Sequence, residues 1–136
     1  MIRGDESESS MTVARDIMTR SVISIHEQDS VRTAIDRLLA HGISGLPVVD
    51  LKSGRMVGIV TEYDLIIAMQ LVGSGLDVRA AMKTGVLTVT ETTPIEQVAD
   101  LMLTHMIRRV PVVNDDGQPV GIVSRRDILR SYYAEG

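Results

Sequence analysis

The stretch Gly58-Ile59-Val60-Thr61-Glu62-Tyr63-Asp64 returns as Gly121-Ile122-Val123-Ser124-Arg125-Arg126-Asp127. In both copies a short apolar run passes through a Ser/Thr and reaches an Asp three residues later. Outward from this stretch the correspondence continues. Pro47-Val48-Val49 matches Pro111-Val112-Val113, and Arg15, Met18, Val22, Glu27, Asp36 and His41 match Arg79, Met82, Val86, Glu91, Asp100 and His105. Residues 15–67 align with 79–130 across a single gap, and about a third of the aligned pairs are identical. A unit of this kind, present twice, implies two half-domains related by a pseudo-twofold axis, with equivalent clefts where they meet.

Each copy carries the same order of signals. A helical turn (Val13–Met18, Val78–Met82) precedes a β-branched strand (Val22–Ile25, Val86–Val89). An amphipathic helix follows, Ser30–His41 and then Pro94–His105. Its first copy is capped by Asp29 or Ser30 and stopped by Gly42. Its second opens on Thr93 as cap, with Pro94 at the first helical position and Glu96 closing a capping box. Two strands joined as a hairpin come next, Leu46–Asp50 with Met56–Thr61 and Val110–Asn114 with Val120–Ser124. A last helix closes each copy, Glu62–Val72 and Arg125–Tyr133. The reading is an α/β (α+β) fold of tandem β-α-β-β-α repeats. Residues 1–11 form a disordered tail, 12–72 the first repeat, 73–77 a linker and 78–134 the second repeat. The runs LPVVD, VPVVN and VGIV are apolar on both faces and so need cover on both sides. A repeat of about sixty residues is marginal alone, so the two are expected to share a core.

Composition narrows function. The chain has 136 residues, a net charge of −4 and no cysteine, which removes disulfides, thiolate chemistry and cysteine-based zinc sites. Tyr63, Tyr132 and Tyr133 are its whole aromatic complement, so base-stacking platforms for single-stranded nucleic acid are missing and the charge disfavours phosphate backbones. No apolar run reaches the length of a membrane span and no leader pattern opens the chain, so the sequence reads as a soluble cytoplasmic protein. His26, His41 and His105 are too scattered for a metal centre, and the two helix-end histidines suit the helix dipole. No nucleophile–base pair, Walker loop or dinucleotide fingerprint is present, which leaves no catalytic apparatus.

The Gly-Ile-Val-Ser/Thr-x-x-Asp stretch can be read in two ways. It is a plain capping box, with Asp64 or Asp127 in the first helical turn. It is also a place where a carboxylate can accept the hydroxyls of a ribose beside a helix N-terminus that favours phosphate. Gly58 and Gly121 mark sites where a ligand or another backbone comes close. With the opening Asp16-Ile17-Met18-Thr19-Arg20 and the segments Ile43–Val49 and Ile107–Val113, each repeat resembles a cystathionine-β-synthase (CBS) domain, and the pair resembles a stand-alone Bateman module.

That resemblance implies binding of AMP, ADP or ATP, or of S-adenosylmethionine, in clefts between repeats. No catalytic cofactor is implied, and signalling goes to a regulated partner protein. By similarity, one cleft takes Ile59, Val60, Thr61 and Asp64 with Leu87, Thr88, Arg108, Arg109 and Arg126. The other takes Ile122, Val123, Ser124 and Asp127 with Ile23, Ser24, Ser44 and Gly45. In a family member, basic residues matching Arg108, Arg109 and Arg126 meet phosphate, so the first cleft is the expected site of a phosphorylated adenosine. Met18 and Met82 are expected near an adenine. Leu65, Ile66, Ala68, Met69, Leu71 and Val72 are more apolar residues than one helix face needs and point to a homodimer. The alternative is a dimerisation module with vestigial clefts.

Overall fold

A computed structural model describes residues 12–73 and 75–135. The tail expected over 1–11, and Ser74 of the linker, lie outside the described residues. The element order is α1 (Ala14–Ile17), β1 (Ile25–His26), α2 (Val31–His41), β2 (Gly45–Val49), β3 (Met56–Thr61) and α3 (Glu62–Leu71). It repeats as α4 (Val78–Ala81), β4 (Val89–Thr90), α5 (Ile95–Thr104), β5 (Arg109–Val113), β6 (Pro119–Ser124) and α6 (Arg125–Glu135).

The chain divides into two compact units, and the division does not follow the repeat boundaries. One unit, called here the Asp64 unit, is Ile23–Val86. The other, the Asp127 unit, joins the described residues up to Val22 to those from Leu87 onward. Each repeat therefore gives its opening segment to the sheet of the other. The docking is the same in both. In the Asp64 unit, Val78 N–H donates to Asp29 carbonyl, Arg79 N–H to Glu27 carbonyl, and Ile59 and Lys83 exchange two backbone bonds of 2.9 Å each. In the Asp127 unit, Ala14 N–H donates to Thr93 carbonyl, Arg15 N–H to Glu91 carbonyl, and Thr19 and Ile122 exchange bonds of 2.9 and 3.0 Å. The expected single core is replaced by two clusters. Ile25, Val31, Leu38, Leu46, Val48, Val60, Leu65 and Val78 form one, and Ala14, Met18, Ile95, Val98, Val110, Val112, Val123 and Ile128 the other. The exchanged residues Val78 and Ala14 are fully buried, so the donated segment completes each core.

Each unit holds a three-stranded sheet in which the first short strand runs parallel to the second and the second antiparallel to the third. β1 and β4 are shorter than the β-branched runs suggest, because only Ile25–His26 and Val89–Thr90 find partners, on Val48–Val49 and Val112–Val113. The hairpins pair Pro47 with Ile59 and Pro111 with Ile122, and a bulge follows Val48 and Val112. α2 is capped by Ser30, whose hydroxyl accepts from Thr33 N–H at 3.1 Å, and it ends on Gly42 in the left-handed region at φ 62°.

The expected Thr93 capping box does not form. Pro94 is the cap residue, in an extended conformation, and Thr93 Oγ1 accepts instead from Thr90 N–H at 3.0 Å. The Thr93 side chain is taken up by the turn, as that of its repeat equivalent Asp29 is by His26 N–H, and a proline cap has neither a side-chain acceptor nor an N–H to offer a glutamate. In α3, Leu65 and Ala68 face the core. Tyr63, Ile66, Met69, Leu71 and Val72 are exposed.

Candidate functional site

The hairpin register, the same in both units, sets the site geometry in each. In the Asp64 unit, Thr61 ends β3 directly opposite Gly45, and Ser44 carbonyl accepts from Glu62 N–H at 3.0 Å. The strand gives way to α3 there, with Thr61 as the cap. Thr61 Oγ1 accepts from Asp64 N–H at 3.3 Å and donates to Asp64 Oδ2 at 2.8 Å, and Thr61 N–H donates to the same oxygen at 2.9 Å. Asp64 is 6% exposed, so its carboxylate is buried and needs those donors. Its second oxygen, Oδ1, is held by one group, the Lys83 ammonium, from the exchanged segment. That ammonium lies 5.6 Å from the centre of the Tyr63 ring, within cation–π reach.

The Asp127 unit repeats the construction. Ser124 ends β6 opposite Arg109, and Arg125 N–H donates to Arg108 carbonyl at 3.1 Å. Asp127 Oδ2 accepts from Ser124 N–H at 2.8 Å and from Ser124 Oγ at 2.9 Å, while Oδ1 accepts from Arg130 Nη1 at 2.9 Å. Asp127 is 7% exposed. Both aspartates therefore realise the capping-box reading on one oxygen, Oδ2, and place the other, Oδ1, against an exposed cation.

The structure places Ile59, Val60, Thr61 and Asp64 in one unit with Ile23, Ser24, Ser44 and Gly45. Ile23 packs against the core and Ser24 carbonyl accepts from Arg37 at 2.7 Å. It places Ile122, Val123, Ser124 and Asp127 in the other, with Leu87, Thr88, Arg108, Arg109 and Arg126. Arg108, Arg109, Arg125 and Arg126 are exposed around the Ser124 end of that unit's hairpin.

The close approach expected at Gly58 and Gly121 is by protein. A side chain at Gly58 would lie 2.6 Å from Lys83 carbonyl oxygen and 2.8 Å from Met82 Sδ; one at Gly121 would lie 2.3 Å from Met18 Sδ. Met18 and Met82 thus serve as the packing of the exchanged segments. Among the described residues, no group of three or more His, Asp or Glu is placed to hold a metal ion. His41 ends α2 and His105 caps the C-terminus of α5, where the helix dipole favours a basic group.

Lys83 and Arg130 are the site residues that the sequence pattern did not single out. Arg130 had a signal, since it stands one helical turn beyond Asp127. Lys83 had none, because its position depends on the segment exchange.

Among the described residues no helix is long and apolar enough to cross a membrane. The sequence profile of the CBS domain matches residues 14–71 and again 77–134. The chain is 36% identical over 125 residues to L-aspartate semialdehyde sulfurtransferase of Methanocaldococcus jannaschii, covering 92% of this chain and 24% of that protein. It spans about a quarter of the length of the curated relatives it matches first. The crystal structure of the CBS domain pair of protein MJ0100, in complex with 5′-methylthioadenosine and S-adenosyl-L-methionine, superposes with a TM-score of 0.79 at 33% identity, covering 93% of this chain and 99% of that one. CBSX2 in complex with AMP gives 0.78 at 29%, covering 90% and 97%. With two matched copies filling most of its length in the order the repeat requires, this chain belongs to the CBS domain family.

Proposed function

We propose that the chain is a non-catalytic regulatory module of the cytoplasm. It takes an adenosine-type ligand at its Thr61–Asp64 and Ser124–Asp127 motifs and reports occupancy to a partner protein. The observation that carries this is the division of labour in the two aspartates. Oδ2 is committed to the capping box, and Oδ1 is held by a single exposed cation. A ribose diol can replace that cation as donor, on a carboxylate already fixed in direction. The first turns of α3 and α6 start beside it with N–H groups suited to phosphate. The structures of relatives holding AMP, or 5′-methylthioadenosine and S-adenosyl-L-methionine, support the adenosine class. A ligand can shift the module only by its differential affinity for two states, so the partner must read a difference that binding stabilises.

Isothermal titration with AMP, ADP, ATP, S-adenosylmethionine and GTP tests the reading. Adenine-selective binding is expected, with one site lost in Asp64→Ala and the other in Asp127→Ala. The Arg108→Ala/Arg109→Ala double variant is expected to weaken the phosphorylated ligands. Absence of binding at millimolar ligand overturns the reading.

A second assignment, that the module works as a homodimer, is supported by the exposed apolar residues Tyr63, Ile66, Met69, Leu71 and Val72 at α3. Light scattering is expected to give twice the chain mass for the native protein and a monomer for Ile66→Glu/Leu71→Glu. If the native protein scatters as a monomer, the assignment fails. A dimer that binds no adenosine compound would make dimerisation the whole function.

A further inference from the structure

The two units deliver a cation to the same atom from different places. Lys83 reaches Asp64 Oδ1 from the exchanged segment, 19 positions along the chain. Arg130 reaches Asp127 Oδ1 from its own helix, one turn on. The two are not repeat equivalents: Lys83 aligns with Thr19, and Arg130 lies one turn past Asp127, where the Asp64 unit has Ile67. The repeat correspondence therefore accounts for neither cation, and the two units fill the same place on Oδ1 with different residues from different segments. Capping is complete with Oδ2, and the remaining oxygen of a carboxylate only 5% or 8% exposed calls for a partner. In both units that partner is a solvent-exposed side-chain cation and not a fixed donor of the backbone. Side-chain exposures of 61% for Lys83 and 70% for Arg130 leave both side chains largely in solvent.

We infer that Lys83 and Arg130 are counter-ions that exchange onto the ligand, and that they set the preference of the two sites for phosphorylated over neutral adenosine compounds. The inference rests on the adenosine reading above and deepens it. A ribose diol donating to Oδ1 takes over the cation's hydrogen bond but brings no charge. A neutral adenosine therefore leaves the ammonium or guanidinium without its anion. A nucleotide supplies the replacement anion a short distance from the ribose, so the cation passes from carboxylate to phosphate with a charge-assisted bond at both ends of the exchange. The Lys83 backbone stays pinned by its two bonds to Ile59, so only its flexible four-carbon stem swings. The Tyr63 ring, 5.6 Å from the ammonium, gives it a second weak partner beside Asp64.

The test compares adenosine with AMP by titration, one site at a time. In an Asp127→Ala background, Lys83→Met is expected to weaken AMP about tenfold or more and to leave adenosine unchanged or up to about fivefold tighter. Lys83→Arg is expected to keep the native preference. The dependence of AMP affinity on salt should flatten in Lys83→Met and not in Lys83→Arg. In an Asp64→Ala background, Arg130→Met is expected to act likewise. If Lys83→Met and Arg130→Met move adenosine and AMP by the same factor, or move neither, the counter-ion role is wrong while the adenosine site stands. If the native chain binds neither compound, the reading beneath the inference is what has failed.

Discussion

The Asp64 unit and the Asp127 unit share the backbone bonds that dock their exchanged segments, yet differ at several side chains that finish an element. Ser30 caps α2, while Pro94 heads α5 without a side-chain cap. Gly42 ends α2 in the left-handed region at φ 62°, while its repeat equivalent Met106 takes φ 54°. Asp50 closes one hairpin turn and Asn114 the other. The difference teaches what a duplication constrains. A backbone framework with a two-residue parallel strand, a bulged hairpin and a docked segment tolerates no drift, because buried N–H and C=O groups must stay paired. Caps and turns at the surface are each worth about 1 kcal/mol and can be traded.

The sharpest way to break the comparison is at the glycines under the exchanged segments. At Gly58 an added methyl meets a backbone carbonyl, that of Lys83, which cannot turn aside without breaking both bonds to Ile59. At Gly121 it meets the Met18 side chain, which is flexible and can repack. Gly58→Ala is expected to destabilise by about 3 kcal/mol and Gly121→Ala by about half of that, measured by denaturant unfolding. Equal losses would mean that both segments yield alike, and the contrast between a backbone and a side-chain neighbour would be void.

The helix ends give smaller effects of opposite sign. Met106 is 83% exposed, so replacing it removes left-handed strain and little buried surface. Met106→Gly is expected to stabilise by about 0.5–1 kcal/mol, and Gly42→Ala to destabilise by about 1 kcal/mol. A stability unchanged by Met106→Gly would mean that the left-handed residue carries no strain. Ser30→Ala should cost about 1 kcal/mol through loss of the Thr33 bond. Thr93→Ala should cost less, because Thr93 closes a turn to Thr90 and caps no helix; matching losses would show that the two helix starts are equivalent after all.

These contrasts also mark what the sequence could and could not reveal. Element order was legible, because each element writes a local period: the helical spacing of Val31, Ala34 and Leu38, and the unbroken apolar strands from Leu46 and Val110. The Ser/Thr-x-x-Asp geometry was legible for the same reason, since Thr61 and Asp64 meet within one helical turn. The exchange of opening segments was not legible. Both sheets offer backbone groups at equivalent positions to either segment, so nothing in the pattern says which segment docks on which sheet. Lys83 was hidden with it. Its contact to Asp64 exists only after residues 77–86 have folded onto the sheet of the preceding repeat, a tertiary event with no local signature. The Thr93 cap failed for the opposite reason: the local signal was present, but Thr93 closes a turn to Thr90, as its repeat equivalent Asp29 does to His26.

The weakest contrast lies in the hairpin turns and concerns pH. Asp50 Oδ2 accepts from Ser53 N–H at 2.8 Å and Ser53 Oγ at 2.9 Å. Those bonds, the backbone one foremost, hold the Asp50 carboxyl below its ordinary value. A carboxyl lowered in the folded state favours folding above its unfolded value, and that contribution is lost as pH falls through the folded value. Asn114 fills the equivalent place, accepting on Oδ1 from Asp116 N–H at 3.0 Å and Gln118 N–H at 2.9 Å, and it has no proton to gain. The two hairpins should therefore part company in acid. Below the ordinary carboxylate range, the amide of Ser53 is expected to shift and exchange faster in NMR spectra, while those of Asp116 and Gln118 hold. Asp50→Asn should abolish the difference. Because the turn lies at the surface, the effect on global stability is expected to be slight, and its value lies in separating the hairpins. If Ser53 and Gln118 respond together, the acid response belongs to the chain as a whole and the turn residue does not set it.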